Sequence, residues 1–168
     1  MSVIINNTVI SNFAVVKRLD LLYKLFGKAY ITPEVLREVK DGIEENYSFL
    51  EDVIRILDED SWLIVTEMEI EEYELYRNIP KKLGSGERSC LAIAHIRDWS
   101  FFSDDWLARQ YAEKNDISLG GTFGLLIKAI DDRILSENQA NELLQEMIRN
   151  DYRSPYPDIQ TFRRLKFR

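Results

Sequence analysis

The chain has 168 residues, 45% of them hydrophobic, with 29 acidic and 22 basic side chains that leave a net charge of −7. That length and apolar content suit one domain with a substantial core, and the acidic balance argues against a broad basic surface for coating nucleic acid. No apolar run approaches a membrane span and the amino terminus carries no charged-then-apolar leader, so a cytoplasmic protein is expected. The single cysteine, Cys90, excludes an intramolecular disulfide and a cysteine-rich zinc site.

Val3 to Ile5 reads as a short buried strand, and Thr8 onward as a helix with an apolar stripe through Val16, Leu19, Leu22 and Leu25, stopped by Gly27. Ala29 to Thr32 is the next strand. Thr32-Pro33 then opens a helix with an N-cap followed by proline at the first helical position, which places Glu38 one to two turns in. A helical pattern follows over 45–57, a short strand or extended segment over 62–66, and an acidic helix over 69–77 that Pro80 ends. Leu83-Gly84-Ser85-Gly86 is a turn, after which Glu87 begins the stripe Cys90, Leu91, Ala94. Trp99 to Ser103 is a strand ending in acid, followed by a helix containing Trp106, Leu107 and Tyr111. Ile117 to Leu119 forms a last strand; Gly120-Gly121-Thr122 leads into an apolar helix, and 137–148 forms one more, with a turn after Pro157. Alternating strand and helix favours a three-layer α/β/α fold around a central parallel sheet.

Asn6, Glu38, Glu87 and the pair Asp104-Asp105 fall at strand ends or near helix starts. In an open parallel sheet such groups converge on one crevice. Carboxylates gathered there repel one another and resist ionisation unless something positive sits between them, and a hard, oxygen-binding cation is the simplest solution.

Five ordered segments, NNTVISNF, ITPEVLREV, LGSGERSCLAIA, SDDWLAR and GGTFGLL, resemble the successive segments of PIN-domain proteins, the metal-dependent ribonuclease fold shared with VapC-type toxins. The resemblance runs from Val3 to about Ile130. It implies a single PIN-like domain over 1–168, with 134–168 as a carboxyl-terminal helical extension. It also implies Mg²⁺ or Mn²⁺ as cofactor, RNA as substrate, an antitoxin protein as partner and a homodimer. Glu38 matches the family's second acidic residue, Glu87 the third, and Asp105, with Asp104 beside it, the fourth. Asn6 stands where the family usually has aspartate, as in a subgroup with asparagine-threonine-serine there, and Thr8 matches the small hydroxyl residue. An asparagine carbonyl can ligate a cation but brings no charge and cannot act as a base.

The site so implied comprises Asn6, Glu38, Glu87 and Asp105 as catalytic residues, with Glu87, Asp105, Asp104 and Asn6 as metal ligands. As substrate contacts, Thr8 and Thr122 can orient water or a phosphate and the amides after Gly121 can receive a phosphate oxygen, while Arg109 reads equally as a phosphate contact and as an ion pair with a neighbouring helix. Magnesium keeps several waters, so Glu87 and Asp105 suffice as inner ligands while Glu38 and Asn6 hold water. Taken singly, each acid also reads as a helix cap or a complement to a helix dipole. Cys90 reads as a small core residue, His95 as a core or partly buried side chain rather than a zinc ligand, Asp131-Asp132 as a solvated helix end, and Phe101, Phe102 and Trp106 as core or interface rather than base-stacking surfaces, since no basic stripe surrounds them. Lys81-Lys82 and the tail Arg163, Arg164, Lys166 and Arg168 read as solvated surface that can also meet phosphates. The leading reading is a metal-dependent endoribonuclease, a toxin of a toxin-antitoxin pair. Its rivals are a catalytically weakened PIN-like module that binds RNA or protein, and a small nucleotide-binding α/β protein whose acids are only caps.

Overall fold

Val3–Ile5, all buried and all β-branched, form strand β1, and four more short segments build on it: β2 (Ala29–Ile31), β3 (Leu63–Val65), β4 (Ser100–Phe102) and β5 (Leu119–Gly120). The computed structural model describes residues 1–60 and 62–166, so Arg168 of the basic tail lies outside the described residues. All pairings are parallel, in the order β3-β2-β1-β4-β5. Strand order reverses between β1 and β4, where Ile5 pairs with Phe102. The next residues on each strand, Asn6 and Ser103, therefore emerge side by side at the carboxyl edge, the position at which open α/β sheets bind ligands.

Ten helices flank the sheet among the described residues: α1 (Asn7–Val15), α2 (Asp20–Phe26), α3 (Pro33–Glu44), α4 (Glu51–Glu59), α5 (Ile70–Asn78), α6 (Ser85–Arg97), α7 (Trp106–Lys114), α8 (Thr122–Asp131), α9 (Glu137–Arg149) and α10 (Ile159–Lys166). This is the α/β architecture with a central parallel sheet that the alternation predicts. Ile4, Ile5, Ile10, Phe13, Leu91 and Phe101 are fully buried in its core. Truncating either phenylalanine to alanine would cost about 3–5 kcal/mol in lost transfer energy and cavity. None of the described helices is long and apolar enough to cross a membrane.

Two helix boundaries differ from the sequence reading, for one reason. The stripe from Thr8 to Leu25 is not one helix: Lys17 takes a left-handed backbone (φ 57), and its amide and that of Arg18 bond back to Ala14 and Phe13. Likewise the helix expected over 45–57 is split, because Asn46 (φ 73) ends α3 with Asn46 N–H to Ile43 and Tyr47 N–H to Gly42. A single 3-10 turn, Ser48–Leu50, then leads into α4. Both stops are Schellman closures made without glycine, which the periodicity does not reveal.

Candidate functional site

Asn6 ends β1 and caps α1, its side-chain oxygen accepting from the Asn7 amide at 2.7 Å. That leaves its Nδ2 to bridge the two strands' sides: it donates to Ser103 Oγ at 3.1 Å and to Glu87 Oε1 at 3.3 Å. Asn6 is fully buried, so these partners satisfy a polar group that has no water to turn to.

Glu87 lies in the first turn of α6, where a carboxylate complements the helix dipole. Glu38 reaches it from α3. Gly86 N–H donates to Glu38 Oε1 at 3.2 Å, and a Cβ on Gly86 would sit 2.5 Å from that same oxygen. A side chain there would push the carboxylate away, so the glycine is needed for close approach. Thr32 caps α3 through Val35 N–H, and its hydroxyl meets Ser89 Oγ at 2.8 Å; Ser89 in turn donates to the Gly86 carbonyl. This buried hydroxyl relay sets α3 against α6 and so sets Glu38 beside Glu87. Burial, followed by repulsion from Glu87 and then from Asp41 and Glu34, pushes the Glu38 carboxyl up to about 7 against the pull of the Gly86 amide. Glu34 adds a buried Oε2 with no hydrogen-bond partner among the described residues.

Across the switch point the adjacent aspartates take different surroundings. Asp105 caps α7, its Oδ1 accepting from Ala108 N–H at 2.8 Å, while its own amide donates to Ser103 Oγ. Its Oδ2 has no hydrogen bond among the described residues. Asp104 is engaged on both oxygens. Oδ1 accepts from Thr122 N–H at 2.8 Å, and Oδ2 from Asn12 Nδ2 at 2.9 Å and from the Thr122 hydroxyl. Burial raises the Asp104 carboxyl, and Thr122, Asn12 and Arg109 oppose that rise. Thr8 Oγ1 accepts from the Asp104 amide at 2.9 Å, and Arg109 Nη1 ties the strand ends together through the carbonyls of Ser103 at 2.8 Å and Gly120 at 3.1 Å. Thr122 and its amide are therefore already bonded to Asp104, and Arg109 to the backbone.

The sequence-singled residues thus fall into two groups, Asn6, Glu38 and Glu87 on one side and Thr8, Asp104, Asp105, Arg109 and Thr122 on the other, linked through Asn6 and Ser103. Ser103, Asn12, Glu34 and Gly86 are the connecting residues that the sequence reading did not single out. Of these, only Gly86 carried a local signal, in the Gly-Ser-Gly turn. Cys90 is fully buried and its thiol pKa is raised by that burial, in keeping with a core residue. His95 departs from expectation: it is exposed in the last turn of α6, where an imidazole complements the helix dipole. Phe101 is core, whereas Trp106 is 67% exposed, which excludes the core for it. Beside the second group opens a cleft of 810 Å³, whose walls include Ser11, Asp104, Trp106, Tyr152 and Arg153. Glu38 and Glu87 do not line it.

No three His, Cys, Asp or Glu side chains among the described residues lie close enough to enclose a metal ion. A fully caged ion is therefore not what the donors suit. They do fit a hydrated divalent cation, which takes one or two carboxylates and keeps several waters. The like-charged Glu38–Glu87 pair and the orphaned Glu34 oxygen are the groups that such a charge would relieve.

A family model described as PIN domain matches residues 2–165. No curated protein matches the chain. Among solved structures, a chain from the crystal structure of VapBC2 from Rickettsia felis bound to a DNA fragment from their promoter is similar at a TM-score of 0.51 and 14% identity, covering 72% of this chain and 98% of that one. At that identity the likeness speaks for the fold alone, and the same parallel-sheet architecture is what the two share. The family match spans nearly the whole sequence, and on it the chain belongs to the PIN-domain family.

Proposed function

We propose that this protein is a divalent-metal-dependent endoribonuclease, with Glu87 and Asp105 as direct ligands of Mg²⁺ or Mn²⁺ and Glu38 and Asn6 positioning water beside them. The observation that carries this reading is the Glu38–Glu87 pair at the carboxyl edge of the sheet, where burial and mutual repulsion hold a carboxyl at about 7. A fold keeps such a pair at a cost, and perturbed carboxylates of this kind mark functional sites. When bound, the cation supplies an acidified water and neutralises charge developing on the leaving oxygen of a phosphodiester. Glu38 can hold or release a proton near neutral pH, as a general base for that water requires. Asn6 fixes the Glu87 oxygen through its amide. In this assignment Asp104 serves differently from its neighbour: it anchors α1 and the start of α8 to the end of β4, which places Asp105. Thr8 and Thr122 position it in turn, and Arg109 can contact substrate only by giving up strand-end carbonyls.

One observation favours a second reading. Asn6 donates a hydrogen bond to Glu87 where a carboxylate would add charge, which lowers the site's attraction for a cation and suits a weakened enzyme that binds RNA or a protein. PIN-domain membership and the fold shared with VapBC2 support a toxin role with an antitoxin partner, and a homodimer belongs to the same proposal.

The test is cleavage of a mixed RNA pool by wild type, Glu87→Ala, Asp105→Ala and Asn6→Asp with Mg²⁺ or Mn²⁺. Metal-dependent cutting that both alanine variants lose is the expected result. Cutting by Asn6→Asp alone establishes the weakened site. Silence in all forms, with unchanged Mn²⁺ titrations in the alanine variants, refutes the metal-site readings.

A further inference from the structure

We propose that Trp106 is the base-stacking residue of a single-strand groove and holds a nucleotide beside Asp105; this rests on the RNA reading above and deepens it. Trp106 is the first residue of α7, immediately after Asp105, and 67% of it is exposed, whereas Trp62 is 7% exposed and Trp99 is half-buried with the Arg97 guanidinium 4.9 Å from its ring. Neither helix propensity nor packing accounts for an indole left in water at this position. Its surroundings do. It lines the 810 Å³ cleft, and other walls of that cleft offer the Asn7 amide nitrogen on α1, whose oxygen accepts from the Ser11 hydroxyl at 3.2 Å, and the exposed Arg153 from the segment between α9 and α10. Arg153 forms no salt bridge among the described residues. Arg109, by contrast, is spent on two carbonyls. An aromatic face, groups able to bond base edges and an available guanidinium are the parts of a site for unpaired nucleotides.

A protein-docking patch explains the same tryptophan less well. The other large apolar side chains exposed among the described residues include Tyr23 on α2, Val65 on β3, Ile70 and Tyr73 on α5, Ile96 on α6 and Leu165 on α10, and none of them lines this cleft. Interaction patches for proteins are contiguous and apolar; here Phe123 and Tyr152 share the cleft but are buried, and the exposed indole and Pro155 stand among Asn7, Ser11, Asp151 and Arg153. Asp105 and Asp151 also line the cleft, so phosphate attraction is limited and stacking carries the larger share of the affinity. A shallow salt dependence follows.

The experiment measures binding of a fluorescently labelled, mixed-sequence single-stranded RNA octamer to the full chain, in chelator and again with Mg²⁺. Wild type is compared with Trp106→Ala and Trp106→Tyr, and RNA cleavage and size-exclusion elution are read on the same preparations. The expected result is a loss of about tenfold in affinity for Trp106→Ala, within the range a stacked base contributes, and near-complete retention for Trp106→Tyr. The urea midpoint stays unchanged because the side chain is exposed, and RNA quenches intrinsic tryptophan fluorescence in wild type but not in Trp106→Ala. Equal RNA affinity in wild type and Trp106→Ala overturns the proposal, and if wild type still cuts RNA in a Glu87-dependent way the nuclease reading stands without it. A shift in oligomeric state with unchanged RNA affinity assigns Trp106 to a protein contact and likewise overturns it. No binding of RNA by wild type in either buffer overturns both.

Discussion

Replacing Glu38 by glutamine should make the metal-free protein more stable at alkaline pH while removing a site residue. Glutamine keeps the oxygen that receives the Gly86 N–H and discards the charge that burial, Glu87, Asp41 and Glu34 disfavour. The wild-type carboxyl is raised from an ordinary 4.5 to about 7 in the folded protein. Because the folded value is the higher one, the folded state binds more protons between the two. Wild-type stability therefore falls as pH rises through that window and levels off above it. Taken in full, the shift corresponds to about 3 kcal/mol. Glu38 is only half-buried, and solvent screening reduces this to roughly 1–2 kcal/mol. Urea unfolding with chelator present, at about pH 4 and about pH 8, reads the difference directly. The two proteins should match at the lower pH, and Glu38→Gln should gain roughly 1–2 kcal/mol at the higher one. Added Mn²⁺ should narrow or reverse that gap, since a cation relieves the repulsion only where the charge exists. Parallel pH profiles for the two proteins would refute the claim that the fold strains this carboxylate.

Asn6→Asp replaces a buried amide that donates to Glu87 with a second negative charge. It should cost roughly 2–4 kcal/mol in chelator and recover with Mn²⁺, read as paired thermal midpoints; equal stability in chelator would contradict the geometry. Asp104→Ala strips both oxygens from the Thr122 and Asn12 donors and should cost about 3 kcal/mol, with faster hydrogen exchange at the Thr122 amide as its local signature. Arg97→Ala leaves Glu72 unpaired, a side chain only 2% exposed that Arg97 Nη2 meets at 2.8 Å, and should cost about 3–5 kcal/mol at neutral pH. Burial works to raise the Glu72 carboxyl, but the Arg97 pairing and the Glu69 amide outweigh it and hold the pKa below the ordinary value. The stabilisation is thus present above the unfolded value and lost as pH falls through the folded one, so the penalty of Arg97→Ala should shrink in acid unfolding experiments.

The first four strands were legible as short apolar runs, and Thr32-Pro33 behaves as its residue types require; the last, expected over 117–119, lies at Leu119–Gly120, where pairing with β4 rather than apolarity sets it. The helix breaks at Lys17 and Asn46 were not, since a left-handed closure by lysine or asparagine is decided by what the following turn can bond to and leaves little mark on periodicity. The acids at the sheet edge stood out as an ordered set. Their roles did not, because Asp104 and Asp105 are adjacent in sequence yet one is engaged on both oxygens and the other caps a helix with one oxygen to spare. Such a difference depends on Asn12 and Thr122, residues 92 and 18 positions from Asp104, and no local pattern encodes contacts of that reach. Trp106 was expected in the core or at an interface because no basic stripe surrounds it in the sequence, and its 67% exposure excludes only the core.

The cleft wall from Asp151 to Pro155 follows α9, and it is fastened there by the Tyr152 hydroxyl, which accepts from Phe123 N–H at 3.2 Å, and by the rings of Phe123, Tyr156 and Phe162, packed tilted or edge-on with centroids 5.1–5.2 Å apart. Strands β1 to β5 and the whole acidic edge are complete by Thr122. On the ribosome, where chains fold from the amino terminus as they emerge, the parallel sheet with its carboxylates can therefore assemble well before the groove beside it has its second bank. A nascent copy can hold the charged edge before the cleft beside it exists, and the two meet only once residues 151–162 have emerged.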